Sequence, residues 1–259
     1  DYDASRAEQK IRQHWESLLT AAKAKDPGIL KTSNADSMVA NWETAIARSP
    51  VRWASLKPDV FLSAEKATLV HQGDDSLLAT GGQLKTDTYT VSSPLTISEL
   101  TAIRLDVLTD PSLPQNGPGR QENGNLHLTE VAIQLFQPKG AESIELPVTM
   151  ASADWSQDGW TIGHAIDGDS KTAWGIFPRV GESHHAVFEV QQRVEIKKGA
   201  KIAVMLKQLH GDAHLIGRFR LSVTDASPEL ARALPSAVSK VLSVAVNERT
   251  HAQKLTITS

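Results

Sequence analysis

From Trp53 to Thr224 the hydrophobic positions come in short alternating or β-branched runs, each closed by Gly, Asn, Asp or Pro and recurring about every ten residues. Strands are predicted over 67–71, 76–79, 88–92, 101–108, 126–136, 144–149, 172–177, 185–190, 201–209 and 215–224. Short runs with no long helix between them point to an antiparallel sandwich and against a parallel α/β sheet. The flanks read differently. Residues 4–25 place Ile11, Trp15, Leu18, Leu19 and Ala22 at helical spacing among charges and end at Asp26-Pro27-Gly28. Residues 34–48 place Met38, Trp42, Ala45 and Ile46 on one face and stop at Ser49-Pro50. Trp15 and Trp42 are expected to pack these helices. After Thr224, Ser227-Pro228-Glu229 opens a helix whose Leu230, Leu234, Val238, Val241, Leu242 and Ala245 keep helical spacing despite Pro235. So many aliphatics there suggest attachment to another part of a longer chain.

Two loops interrupt the strand rhythm: 110–125, rich in Pro, Gly and Asn and carrying Arg120, and 151–160, with two tryptophans in a polar setting. The runs Ile103–Val107 and Arg218–Val223 share an alternation, so either two small sandwiches or one elaborated sandwich fits the pattern. The usual size of all-β domains favours one. The expected organisation is an N-terminal helical segment over 1–52, a sandwich over 53–225 and a C-terminal helical linker over 226–259.

Composition narrows the function classes. The 259 residues carry a formal charge of −3 and hold no basic block, so neither nucleic acid nor an anionic membrane surface is an expected partner. The absence of cysteine removes disulfides, thiolate nucleophiles, Cys-ligated zinc and iron–sulfur clusters. No apolar run is long enough to span a membrane, and Asp1-Tyr2-Asp3 is no signal-peptide start.

The most informative stretch runs from His164 to Trp174. Asp167, Asp169 and Thr172 gather oxygens around Gly168, and a hard cation such as Ca²⁺ needs six to eight oxygens at one point. An Asx turn, with each aspartate bonding its own backbone, is the competing interpretation.

The run Ala165-Ile166-Asp167-Gly168-Asp169-x-x-Thr172-Ala173-Trp174 resembles the signature loop of the discoidin or coagulation-factor type C fold, the galactose-binding-like jelly roll of many carbohydrate-binding modules. That resemblance implies a structural Ca²⁺ held by the His164 carbonyl, the Asp167 carboxylate, the Asp169 carbonyl and Thr172, with Trp174 in the core. A glutamate from a late strand completes the family's site. Here the similar strand, Leu126 to Ile133, precedes the loop, so Glu130 is the candidate and the strand order is permuted.

A second resemblance covers most of the chain. Trp53-x-x-Leu56-x-Pro58, Asp87–Val91, Arg104–Leu108, Gly117–Asn125, Gly181–Phe188 and His214–Ser222 are similar to the central segment of large exported planctomycete proteins that join a cytochrome c module to two domains of unknown function. It implies export, a periplasmic or cell-surface location, and neighbouring domains on the same polypeptide.

Catalysis is the weaker prospect. His184, His185, His210 and His214 lie on or near strands, and Gly211-Asp212 breaks the helical spacing that a His-x-x-x-His zinc site needs, so hydrogen-bonded structural roles are preferred to zinc. Asp154, Asp158, Glu182 and Glu189 could furnish a glycosidase pair, yet no spacing selects one. A sugar ring offers an apolar face and hydroxyls, so exposed aromatics and polar loop groups are wanted; Trp155, Trp160, Arg120, Asn123 and Asn125 are the candidates. Core tryptophans and turn chemistry are their plain alternatives. The expectation is a mainly β, antiparallel jelly-roll sandwich with flanking helices, acting as a non-catalytic module for a polysaccharide or oligosaccharide. A domain that joins its neighbours is second, and a polysaccharide-degrading enzyme third.

Overall fold

The computed structural model describes residues 33–138 and 143–258, with isolated helical positions at 13, 16, 17, 20 and 24. The expected helix over 4–25, with Trp15, otherwise lies outside the described residues. Two compact units are present, one of Val51–Leu234 and one combining the residues up to Pro50 with those from Pro235.

The larger unit is a two-sheet antiparallel sandwich. Its strands are β1 (Ala54–Ser55), β2 (Val60–Ser63), β3 (Thr68–His71), β4 (Leu77–Thr80), β5 (Asp87–Pro94), β6 (Glu99–Val107), β7 (Glu130–Phe136), β8 (Ile144–Glu145), β9 (Val148–Ala153), β10 (His184–Glu195), β11 (Lys201–Gln208) and β12 (Arg218–Thr224). One sheet runs β3-β4-β12-β6-β10-β9, with β1 also on β12; the other runs β2-β5-β11-β7-β8. The chain changes sheet between β1 and β2, β2 and β3, β4 and β5, β5 and β6, β6 and β7, β8 and β9, β10 and β11, and β11 and β12. The first and last of these strands, β1 and β12, are partners, and so are β4 and β12. This is the jelly-roll winding.

Alternation explains the core. On β5 every second residue is buried, so Tyr89 and Val91 face inward while Thr88 and Thr90 do not. Leu105 is in register with both Leu221 and Ala186, and Tyr89 stacks on Phe219 across the sandwich, ring centroids 5.7 Å apart. The two runs with matching rhythm, 103–107 and 218–223, are thus adjacent strands of one sheet rather than halves of two domains.

β6 is buried on both faces, because the chain after β12 returns over its outer side. Ala231 and Ala233 pack on Ala102 and Val187 beside Val51 and Trp53. Arg232 pairs with Glu189 at 2.7 Å, and the Ala233 N–H donates to Ser152 Oγ at 2.9 Å. The expected single C-terminal helix is therefore broken. Its first piece, Pro228–Ala231, ends where Arg232 turns extended (ψ 138) ahead of Pro235, which cannot continue a helical ladder.

In the other unit, α1 (Ser33–Arg48) matches the second expected helix. The helix α2 is the Pro228–Ala231 turn already described, and α3 (Ser236–Leu242) and α4 (His251–Thr258) follow it. Arg249 is buried and pairs with Glu43 of α1.

Candidate functional site

Antiparallel winding gathers five connections at one end of the sandwich: β2–β3, β4–β5, β6–β7, β9–β10 and β11–β12. Register shows this, since Asp87 opposes Gln208, Glu130 opposes Lys207, and Val107 opposes both His184 and Phe219. The loops are stitched together through backbone groups. His127 donates to the His214 carbonyl at 2.8 Å, Arg120 to Leu215 at 2.8 Å, and Leu128 and Trp174 exchange bonds of 3.0 and 2.9 Å. The 172–177 segment, read from sequence as a strand, makes only that bridge. Ala173 to Ile176 are consecutively buried, a plug in the end of the core rather than an alternating strand.

Within the plug's approach lies the oxygen-rich loop. A 3₁₀ turn, Ile162–Ala165, leads to Gly168, whose φ of +77° is the left-handed conformation glycine tolerates. Thr172 Oγ1 lies 3.0 and 2.8 Å from the Asp167 carboxylate oxygens and 2.9 Å from the Asp169 carbonyl. Asp169 and Lys171 N–H groups donate to Asp167 and Asp169 carboxylates, each at 2.9 Å. Both interpretations of the loop meet here: the Asx turns are formed, and the oxygens still converge. Glu130, from β7, joins them by accepting the Gly168 N–H through Oε2 at 3.0 Å. His164 places Nδ1 3.3 Å from the Ala173 carbonyl. The convergent donors, Asp167, Asp169, Thr172 and Glu130, are all oxygen, the chemistry a hard cation takes, so the residues fit Ca²⁺. Burial raises Asp167, but the Asp169 N–H and Thr172 hydroxyl outweigh it and hold the carboxyl below its usual range. Burial, against the Gly168 bond, pushes Glu130 up.

Beside this loop a cleft of about 390 Å³ opens along β7 and β11. Glu130, Glu145, Lys207 and Ser170 give it polar walls, and Ile166 and Val148 an apolar lining. Neither Glu145 nor Lys207 carries a local sequence signal: each is an outward position of a strand, indistinguishable from a solvated charge until the cleft is seen.

The five residues proposed from sequence for a ligand separate. Arg120 is buried and donates through Nη2 to the carbonyls of Gly81 and Gly82, at 2.8 and 2.9 Å. Asn125 is buried; its Oδ1 accepts from Ile176 and Phe177 N–H at 3.0 and 3.2 Å. Trp155 packs on the core, donates Nε1 to the Ile176 carbonyl at 3.0 Å, and carries Arg179 over its ring at 4.2 Å. Asn123 is exposed and accepts the Asn125 N–H at 2.8 Å, an Asx turn. Trp160 is half-buried and stacks on His127, centroids 4.4 Å apart. Trp174 is wholly buried.

Among the four carboxylates weighed for hydrolysis, Asp154 and Glu189 are committed elsewhere. Asp154 Oδ2 lies 3.0 Å from His184 Nδ1, and Glu189 is held by Arg232. His184 also places Nε2 2.9 Å from the Arg179 carbonyl, so both ring nitrogens face acceptors and the cation is the form that satisfies them.

No protein-family profile matches the chain, and no curated protein matches it. Among solved structures it is similar to an aspartate-to-alanine mutant of a family 29 carbohydrate-binding module, made to probe ligand recognition: 11% identity, 67% of this chain and 84% of that chain covered, TM-score 0.25. At that score the likeness carries no weight, and the fold stands on the strand pairing above.

Proposed function

We propose that the chain is a non-catalytic carbohydrate-binding module of galactose-binding type, carrying a structural Ca²⁺ at the 164–172 loop and belonging to an exported, planctomycete-type multidomain protein. The observation that carries the ligand assignment is the cleft of about 390 Å³, within the size range of small-ligand sites, whose wall is that same loop. Its Glu145, Lys207 and Ser170 suit sugar hydroxyls, and Ile166 and Val148 suit the apolar face of a ring. Asp167, the Asp169 carbonyl, Thr172 and Glu130 would hold the ion, with the His164 carbonyl added from the family resemblance. The ion would supply rigidity to the cleft wall and no chemistry. Asn123 and Trp160 lie at the same loop end and extend the ligand surface. Export and the multidomain setting rest on the sequence motifs alone.

The test is affinity electrophoresis on neutral and acidic polysaccharides, backed by a glycan array. Retention by at least one polysaccharide, lost in Lys207→Ala and Glu145→Ala at unchanged melting temperature, is the expected result. Failure to bind any polysaccharide would leave the domain-joining role, which draws on Val60 and Leu62, 46% and 61% exposed on the edge strand β2.

A further inference from the structure

A cluster of imidazoles lies at the loop end, apart from the oxygen-rich loop and the cleft. His127 is 5% exposed, stacked between Trp160 on one face and His214 on the other, at centroid distances of 4.4 and 4.0 Å. His210 stands perpendicular to both His127 and Trp160, 4.6 and 4.7 Å away. Each histidine offers a nitrogen within 4.8 Å of the others, and this is the group of three metal-ligating side chains found among the described residues.

We propose that His127, His210 and His214 form a binding site for one borderline divalent transition-metal ion, of the Zn²⁺, Ni²⁺ or Cu²⁺ class. The Nδ1 atoms of His127 and His210 face each other at 3.1 Å. A tetrahedral ion with metal–nitrogen bonds of about 2.0–2.1 Å sets its ligand nitrogens about 3.3–3.4 Å apart, so an ion fits there with little movement. The rings cross at 88°, which lets both lone pairs reach one point without a face-to-face clash.

His214 must move. Its ring lies within 8° of parallel to His127, so a metal in the plane of one is out of the plane of the other. A turn about Cβ–Cγ brings its nitrogen round, at the cost of the parallel stack on His127 and of a long contact, Nδ1 to the Gly211 carbonyl at 3.3 Å. The ring is half-buried, which leaves it that freedom and leaves the ion an entry path.

The backbone is shaped for this grouping. Gly211, Asp212 and Ala213 have φ of +103°, +52° and +58°, a run of left-handed residues that turns the chain so that His210 and His214 both reach His127. Asp212 and Ala213 hold a conformation that costs a non-glycine residue about 1 kcal/mol or more. No helix is needed to bring histidines four apart together.

In the metal-free ring, Asn125 Nδ2 lies 3.4 Å from Nε2, so Nδ1 carries the hydrogen that bridges to His210. Metal binding moves that hydrogen to Nε2. Gln157 Oε1, which accepts from Asn125 Nδ2 at 3.0 Å, and His127 Nε2 both flank Gly175, 2.8 and 3.4 Å from where a Cβ would sit. All-nitrogen ligation excludes Ca²⁺ and Mg²⁺ from this site.

The test uses the full, tag-free chain stripped with chelator and titrated with Zn²⁺ by calorimetry. One ion per chain is expected, with excess Ca²⁺ unable to compete. His210→Ala should weaken binding by at least about tenfold while keeping the metal-free melting temperature, and His71→Ala, on an exposed strand, should bind as wild type. Cu²⁺ should quench the Trp160 component of the fluorescence, a signal that Trp160→Phe removes and His210→Ala abolishes. Absence of saturable binding, equal affinity in His210→Ala, or displacement by Ca²⁺ would each overturn the proposal.

Discussion

Glu130 of β7 and Gly168 of the 164–174 loop are joined by a 3.0 Å hydrogen bond from the glycine N–H to Oε2, although 38 residues separate them. The bond brings a carboxylate from the sheet to a loop whose own oxygens already converge on Thr172. Ca²⁺ at that point is expected to stabilise the fold by about 2.7 kcal/mol at a hundredfold excess over Kd. For a domain of this size each kcal/mol moves Tm by about 2–4 °C. Asp167→Ala and Glu130→Ala should remove the calcium-dependent rise. Differential scanning calorimetry with and without chelator decides it: an unchanged wild-type melt means the loop is only a turn.

The buried His184–Asp154 pair predicts a pH profile. Burial lowers the His184 pKa, but the hydrogen bonds to Asp154 and to the Arg179 carbonyl outweigh it and raise the value above normal. Its contribution is complete below about pH 6.5, the unfolded value, and is lost as pH rises through the folded pKa. For Asp154, burial raises the value, but His184 and the His185 N–H outweigh it and lower it. That contribution is present above about pH 3.9 and is lost as pH falls through the folded pKa. The pair therefore supports the fold best between those limits. Asp154→Asn should cost about 3–5 kcal/mol there, because it leaves His184 buried without its counter-charge. Urea unfolding of both proteins from pH 4 to 9 checks this; parallel stability curves would contradict it.

The alternation that announced the sandwich was legible wherever one face of a strand is buried, as along β5 and β7. It failed at β2, where Val60 and Leu62 point outward on an edge while Phe61 packs on the core, so three consecutive apolar residues show no alternation. It misled at 172–177, where apolar content reflects burial of an irregular plug. Side-chain roles were harder. Asp167 and Thr172 could be nominated by residue type and spacing and Glu130 through the family resemblance, whereas His127 lies between Leu126 and Leu128 with nothing local to distinguish it. Its neighbours His210 and His214 arrive from more than eighty residues away by tertiary packing.

Arg120 illustrates how loop composition conceals a structural role. Its guanidinium bridges the carbonyls of Gly81 and Gly82, tying the β4–β5 turn to the β6–β7 loop. Arg120→Ala should lose about 1.5–3 kcal/mol, the range for hydrogen bonds to a charged group. Arg120→Lys should recover little, since a point charge does not reproduce the planar fork. Chemical denaturation measures the loss, and polysaccharide retention by the folded fraction should equal wild type. A variant of normal stability that has lost retention would instead make Arg120 a ligand contact.

Glycine at 119 is demanded by packing, not by dihedral freedom. A Cβ there would lie 2.1 Å from the Asn125 carbonyl oxygen and 2.5 Å from its carbon, and one at Gly117 would lie 2.0 Å from the Val180 carbonyl oxygen. These obstacles are backbone atoms that cannot rotate away, so the loops at this end of the sandwich must separate to admit a methyl group. Gly119→Ala should therefore cost about 4 kcal/mol or more. Gly168→Ala has open space around it and only its left-handed φ to strain, which predicts about 1 kcal/mol. Gly73→Ala, with neither obstacle nor positive φ, is the neutral control. The ranking Gly119, then Gly168, then Gly73 is the expected result of thermal melts of the three variants; a Gly119→Ala melt matching the Gly73→Ala melt would show that the loops at this end are not packed backbone to backbone.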